Sequence, residues 1–358
     1  MLFIAKYPHD GNIKEGMSQR ILAIDNHFEN ISRTYLFISY KFFLKKKKIY
    51  INDNVLQYNL SLFVHFPYII KLLMKCKTIY IHSMLNGIYV TPFLKFLNNK
   101  KIIIDVHGIV PEEEALKQKM IRARLYNIAE REIFKYVKIV LTVTDKMTEF
   151  YRSKYKDQNL IKYITYPIIP RNILSTSKKD IFDFNEQYVL DEDKTIVLYS
   201  GNTQEWQNIE IMVGIIKKNL HENIYYVILT GEVEKMREMF LKQGVDSQVN
   251  ENIIIKSVLP NQLEEEYRRA NYGFILRDDI DVNKVACPTK MTEYLFYGII
   301  PIVKSYHIGD FASHSYDCVP YESYNAMRLK KAKSKKNMLI VREMIKKTEA
   351  VDLKEILL

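Results

Sequence analysis

The chain has 358 residues, 47% of them hydrophobic, with 53 Lys and Arg against 42 Asp and Glu and a net charge of +11. That is more chain than one core usually supports, so two domains are expected. The basic balance favours an anionic partner: phospholipid, a phosphorylated substrate or nucleic acid. No stretch reaches the roughly 18 to 20 uninterrupted apolar residues of a membrane span, and the start, MLFIAKYPHDG, lacks the charged opening and cleavage site of a secretory signal. Both points argue for a cytoplasmic protein. Cys76, Cys287 and Cys318 follow no paired spacing, so inert reduced thiols and no metal site are expected.

From the start, short β-branched or aromatic runs at 2–6, 34–39, 78–82, 101–106 and 139–143 read as buried strands. Between them, apolar residues three and four apart predict helices at 18–28, 55–75, 88–97, 112–136 and 145–155, the last capped by Asp145. Such alternation implies a parallel sheet covered on both faces. The pattern breaks at YPIIP (166–170) and over the polar stretch 175–193, which we take as a linker. It resumes with strands at 195–199, 225–230, 252–256, 272–276 and 299–303, and helices at 209–218, 233–243, 262–270 and 291–297. The expected architecture is therefore α/β with two doubly wound lobes, residues 1–170 and 171–325, and a helical segment at 326–358 packing back between them. In such sheets ligands sit beyond the carboxyl ends of the strands, so a cleft between facing lobes is the expected site.

The most informative stretch is YGFILRDDIDVNKVACPTKMTEYLFYGIIPIV, residues 272–303. A hydrophobic strand ends in Arg277-Asp278-Asp279, a loop follows, and Pro288 opens a helix. The unpaired N–H groups around Thr289 and Lys290 offer partial positive charge to a phosphate, and Lys290 adds a full one. Glu293, one turn on, lies on the same face and suits a ribose diol, which donates two hydrogen bonds to one carboxylate.

This stretch resembles glycosyltransferase family 4, whose members carry a Pro-Thr/Leu-Lys-x-x-Glu-Tyr-Leu helix followed by Gly-x-Pro. The matching residues are Pro288, Thr289, Lys290, Glu293, Tyr294, Leu295, Gly298 and Pro301. LYSGNTQEWQ (198–207) is similar to the family's glycine loop facing the sugar-nucleotide diphosphate, found also in capsule and O-antigen transferases. A weaker likeness covers the first lobe: the glycine loop at 8–16, Asp105-Val106-His107-Gly108, and residues 142–147. The resemblance implies the GT-B fold of two Rossmann-like domains. It also implies a retaining transferase, of hexosyltransferase type, that moves a sugar from a UDP- or GDP-linked donor to a glycan or lipid-linked acceptor in surface polysaccharide synthesis, with no further cofactor. It implies that His107 contacts the donor sugar or leaving group and that the Gly16 loop closes over the diphosphate. Arg277, Lys290 and the Gly201-Asn202 backbone would stabilise the departing phosphate.

One departure stands out: Val285 occupies the position where the family usually has a Glu, eight residues before Glu293. Asp278, Asp279, Asp281 or Asn283 would then take over its contact with the sugar, and we assign Asp278. The same departure motivates a rival, a catalytically silent partner that binds glycan or another transferase. The Asp278-Asp279 pair also resembles the metal motif of the other transferase fold, but the Lys290 helix already supplies neutralisation.

Two surface readings stay open. Lys45–Lys48 follows an aromatic run near Phe63, Phe66 and Tyr68, which suits either an anionic membrane surface at the inner face of the cell membrane or a solvated turn over core residues. Trp206 suits either a sugar face or core packing. The 26 tyrosines fall inside strand and helix patterns without a nucleic-acid motif, so no nucleic-acid partner is expected.

Overall fold

The computed structural model describes residues 1–9, 16–42, 45–158, 160–170, 173–174 and 194–358. The expected linker at 175–193 and residues 10–15 of the first glycine loop lie outside the described residues. The chain forms two compact units, Met1–Ile168 with Thr348–Leu358, and Ile169–Lys347.

In the first unit, strands β1 (Leu2–Ile4), β2 (Arg33–Ser39), β3 (Lys47–Asn52), β4 (Val55–Ser61), β5 (Thr78–His82), β6 (Lys101–Asp105), β7 (Ile139–Thr142) and β8 (Lys162–Thr165) form one sheet, ordered β3-β4-β2-β1-β5-β6-β7-β8. Every pairing is parallel except β3 with β4. The fully buried Phe3, Tyr35, Tyr80, Ile103 and Leu141 run across one face. Over them pack Ile24 and Phe28, together with Leu353 and Leu357 from the chain's end.

Four local expectations are corrected here. The span 55–75 is not one helix but β4 followed by α2 (Phe66–Lys75), after the α1 helix at Gly16–Asp25. Asn52-Asp53-Asn54 turns the chain, with the Asn54 N–H bonded to Asn52 Oδ1 at 3.0 Å, and so makes β3 and β4 a hairpin. The span 88–97 contains only a 3-10 segment, Thr91–Phe96, after the short helix α3 (Ser83–Gly87). The span 112–136 divides into α4 (Val110–Leu116) and α5 (Met120–Phe134), because Gln118 takes a left-handed φ of 58°. Finally, α6 (Asp145–Lys154) is capped by Thr144, whose hydroxyl accepts from the Met147 N–H at 3.0 Å, leaving Asp145 in the first turn.

The second unit is built on a fully parallel sheet of β9 (Thr195–Ser200), β10 (Ile224–Leu229), β11 (Ile253–Lys256), β12 (Tyr272–Ile275), β13 (Ile300–Val303) and β14 (Val319–Pro320). Its order, β11-β10-β9-β12-β13-β14, runs outward both ways from the first strand. This is the Rossmann arrangement, and the strand order reverses between β9 and β12. Helices α7 (Ile209–Lys218), α8 (Val233–Lys242), α9 (Pro260–Arg269), α10 (Asp281–Lys284) and α11 (Thr289–Phe296) follow the strands, and α12 (Lys335–Glu349) and α13 (Leu353–Leu357) close the chain. Two apolar clusters lie in this unit: Leu198, Tyr294 and Tyr297 in one, Val197, Phe240 and Phe274 in the other. The α/β class with two Rossmann-like units is thus borne out.

Candidate active site

At the switch point of the second sheet, β9 ends in Ser200-Gly201-Asn202 and β12 in Leu276-Arg277-Asp278. Parallel strands put both loops beyond the same sheet edge, and α11 opens there too. Pro288 is its N-cap rather than its first helical residue, and its carbonyl accepts from the Met291 and Thr292 N–H groups at 3.0 and 3.2 Å. The N–H groups of Thr289 and Lys290 belong to the first turn, where no carbonyl of the helix itself reaches them.

Lys290 reaches back to the glycine loop. Its Nζ donates to Gln207 Oε1 at 3.1 Å and lies 4.0 Å from the centre of the Tyr199 ring. Burial, and after it the nearby Arg277, hold the Lys290 amine well below the ordinary lysine value, with Glu293 opposing. Gly201 makes this approach possible. Its φ is +150°, and a Cβ there would stand 2.8 Å from Lys290 Nζ.

Glu293 is held by a tyrosine that no sequence motif singles out. Tyr267 on α9 donates its single hydroxyl proton to Glu293 Oε2 at 3.1 Å, so the Ser200 hydroxyl, 2.8 Å away, must be the donor to Tyr267. Tyr294 accepts from the Ser200 N–H at 3.0 Å. It fits because β12 carries Gly273, where a Cβ would come within 2.3 Å of the Tyr294 ring. Asn202 is held through its carbonyl, which accepts from Tyr199 at 2.5 Å. Thr203 donates through its N–H (2.7 Å) and its hydroxyl (3.1 Å) to Glu232 Oε2, a contact no sequence signal indicated. Those bonds hold the exposed Glu232 carboxyl below its usual value.

Arg277 donates to Asn283 Oδ1 at 3.1 Å. Asp278 accepts from Lys304 Nζ and, at 3.3 Å, from Asn208 Nδ2. Asp279 faces Lys284 at 3.2 Å. With a lysine on each carboxylate, the pair is poorly set to ligate a divalent cation. Trp206 is 43% exposed in the 3-10 turn Glu205–Gln207, so the core-packing alternative does not hold. Val285 is buried, which leaves no carboxylate at the family's usual first-Glu position.

In the first unit, His107 follows β6. Two residues earlier, Asp105 receives a two-pronged ion pair from Arg20 of α1, at 3.0 and 2.9 Å, and a hydrogen bond from Tyr80 at 2.5 Å. Burial alone would raise the Asp105 carboxyl, but Arg20 overrides it and holds the group well below the usual carboxylate range. The His82 ring lies 4.7 Å from that of His107, and both His107 nitrogens are buried without a hydrogen-bond partner among the described residues. Burial, then the neighbouring His82, pushes His107 down to about 3, so it is neutral at physiological pH. His82, Asp105 and His107 bring one ligand-type atom each to within 4.8 Å of one another. The Arg20 guanidinium on Asp105 works against a cation there. Gly16 is the first residue of α1 and nothing lies within 4 Å of its Cβ position, so the structure gives it no contact of its own. Arg20, four residues on, ties that helix to the His107 strand.

No family model matches the sequence, and no curated protein does. Solved structures match over nearly the whole chain. Trehalose-6-phosphate synthase from E. coli, bound with UDP-2-fluoro glucose, aligns at a TM-score of 0.62 and 11% identity, over 97% of this chain and 95% of that one. Sucrose-phosphate synthase from Thermosynechococcus elongatus aligns at 0.61 and 14%, over 99% and 96%. Anabaena HepE, in complex with UDP and glucose, aligns at 0.56 and 10%, over 98% and 92%. These neighbours are GT-B glycosyltransferases, and at such identities they establish the fold: this chain has the GT-B fold. Among the described residues no helix is long and apolar enough to cross a membrane.

Proposed function

We propose that this protein is a retaining glycosyltransferase of hexosyltransferase type, moving a sugar from a nucleoside-diphosphate donor to a hydroxyl of a glycan or lipid-linked acceptor in surface polysaccharide synthesis. The observation that carries the reading is the convergence of the Gly201 loop, Lys290, Arg277 and Glu293 at the switch point of the second sheet. In the reaction, the acceptor oxygen bonds to the anomeric carbon and its proton passes to the departing phosphate oxygen. The bond from that carbon to the diphosphate breaks, and its electron pair goes to the phosphate oxygen. Arg277, Lys290 and the N–H groups of Gly201, Asn202 and Thr289 are the groups that would stabilise this charge. Glu293 would accept from the ribose hydroxyls, held for that by Tyr267, while Asp278 and neutral His107 would contact the donor sugar. Retention is supported by the likeness to trehalose-6-phosphate synthase, an enzyme of glycosyl transfer with retention. UDP is favoured over GDP because the neighbours are bound with UDP and UDP-glucose. No metal or other cofactor is assigned a role, since lysine and arginine supply the cations. The buried Val285 favours a second reading, a silent GT-B partner subunit.

A thermal-shift titration with UDP, GDP and their sugars, paired with Glu293→Ala, tests this. One nucleotide is expected to stabilise the wild type, by roughly 2.7 kcal/mol at a hundredfold excess over Kd, and to lose that effect in the variant. No shift with any nucleotide would sink the transferase reading. Binding without slow donor hydrolysis would favour the silent partner.

A further inference from the structure

The first unit leaves an apolar, basic strip uncovered. On α5, Ile121, Leu125 and Ile128 recur at i, i+4 and i+7, so they share one face, and they are 77%, 52% and 60% exposed. The opposite face, with Ala123, Glu130 and Phe134, is already buried. Residues 116–128 contain Lys117, Lys119, Arg122 and Arg124 and no acidic residue; Arg122 and Lys117 share Glu114 just before them.

The strip continues through aromatic rings. Arg122 bonds to Tyr126, and Tyr126 lies close enough to Tyr40 and Tyr89 to raise both phenols, after burial as the larger cause. The Tyr40 ring lies tilted 4.5 Å from Tyr89 and 6.3 Å from Phe63, and Phe63 lies 6.3 Å from Phe42. Phe42 and Phe63 are 61% and 57% exposed. Residues 40–48 add Lys41 and Lys45–Lys48, again with no acid. Tyr40 and Phe63 follow the carboxyl ends of β2 and β4, and α4 and α5 follow β6. All of these strands run parallel, so the strip rims the same sheet edge as His82 and His107.

We propose that this strip seats the first unit on an anionic bilayer surface, with the rings and aliphatic side chains at the acyl boundary and the lysines and arginines on lipid phosphates. The charge decides the occupant. A second copy would set two strongly basic strips against each other, whereas an anionic leaflet complements all of them. The span expected to form one amphipathic helix, 55–75, contributes only Phe63 and its neighbours, and α5 supplies the apolar ridge. The functional meaning, access to an acceptor held in the membrane, rests on the transferase reading, but the lipid contact does not.

Co-sedimentation of the full chain with vesicles of phosphatidylglycerol and phosphatidylcholine, against phosphatidylcholine alone, tests the proposal. Binding is expected only with the anionic lipid and is expected to weaken in high salt. Ile121→Ser with Leu125→Ser should lower the apparent affinity at least about tenfold, and replacing Lys45–Lys48 by Gln should lower it by up to about a thousandfold. Equal binding to both vesicle types, no binding, or variants that bind like the wild type would overturn it. So would a self-association that the same substitutions abolish. The nucleotide thermal shift, read on the same samples, separates the two ideas. A shift without vesicle binding defeats the lipid contact alone, and vesicle binding without a shift defeats the transferase reading alone.

Discussion

The two units share a strand plan but use charge at the carboxyl edge in opposite ways. In the first, Arg20 and Asp105 are almost wholly buried and pair with each other, and the two imidazoles beside them, His82 and His107, have buried ring nitrogens as well. In the second, Lys290 is held by neutral groups, an amide and an aromatic ring, and with no carboxylate bonded to it among the described residues, burial depresses its amine. A bonded counter-charge separates a charge that holds the fold from one that can serve a ligand.

The contrast can be broken by substitution. The largest effect is expected from Arg20→Met, which strands the Asp105 carboxylate in the core. Unfolding in urea should show a loss of about 3–5 kcal/mol, much of it recovered in the double variant with Asp105→Leu. A loss below about 1 kcal/mol would show that water reaches the pair. Next, Lys290→Ala should leave the unfolding midpoint nearly unchanged while lowering turnover by about 10²–10³-fold. A large stability loss with intact turnover would reverse the assignment of the two units. The smallest effect is in pH. The Lys290 amine is depressed in the free protein, so between its depressed value and the ordinary lysine range it binds fewer protons than an ordinary lysine, and an anionic diphosphate would restore the proton. Donor affinity should therefore fall as pH rises. Calorimetry in buffers of different ionisation enthalpy should show proton uptake, and release instead of uptake would refute it.

How much of this was readable in the sequence follows from how the residues are distributed. The candidate site is legible because Arg277, Asp278, Lys290 and Glu293 fall inside one stretch whose strand, loop and helix are each locally encoded. Tyr294 stands in the motif, but the bonds of Tyr267, Tyr199 and Tyr294 are hidden because a tyrosine in an apolar pattern looks the same whether its hydroxyl is idle or bonded. Gly273 inside a strand was the available signal for a close approach. In the first unit, Arg20 and Asp105 are 85 residues apart, and no spacing rule connects an arginine in a helix to an aspartate at a strand end. The β3–β4 hairpin is not legible from periodicity because Val55, Leu56, Tyr58 and Leu60 satisfy a helical period as readily as a strand; the Asn-Asp-Asn turn before them is the signal that separates the two.

Residues 348–358 belong to the first unit, where Leu353 and Leu357 are buried against the same core as Phe28. The second unit is thus an insertion within the first. During synthesis on the ribosome, Ile169–Lys347 can fold as soon as it emerges, while the unit that starts the chain must wait, with part of its core open, until residue 357 has left the exit tunnel.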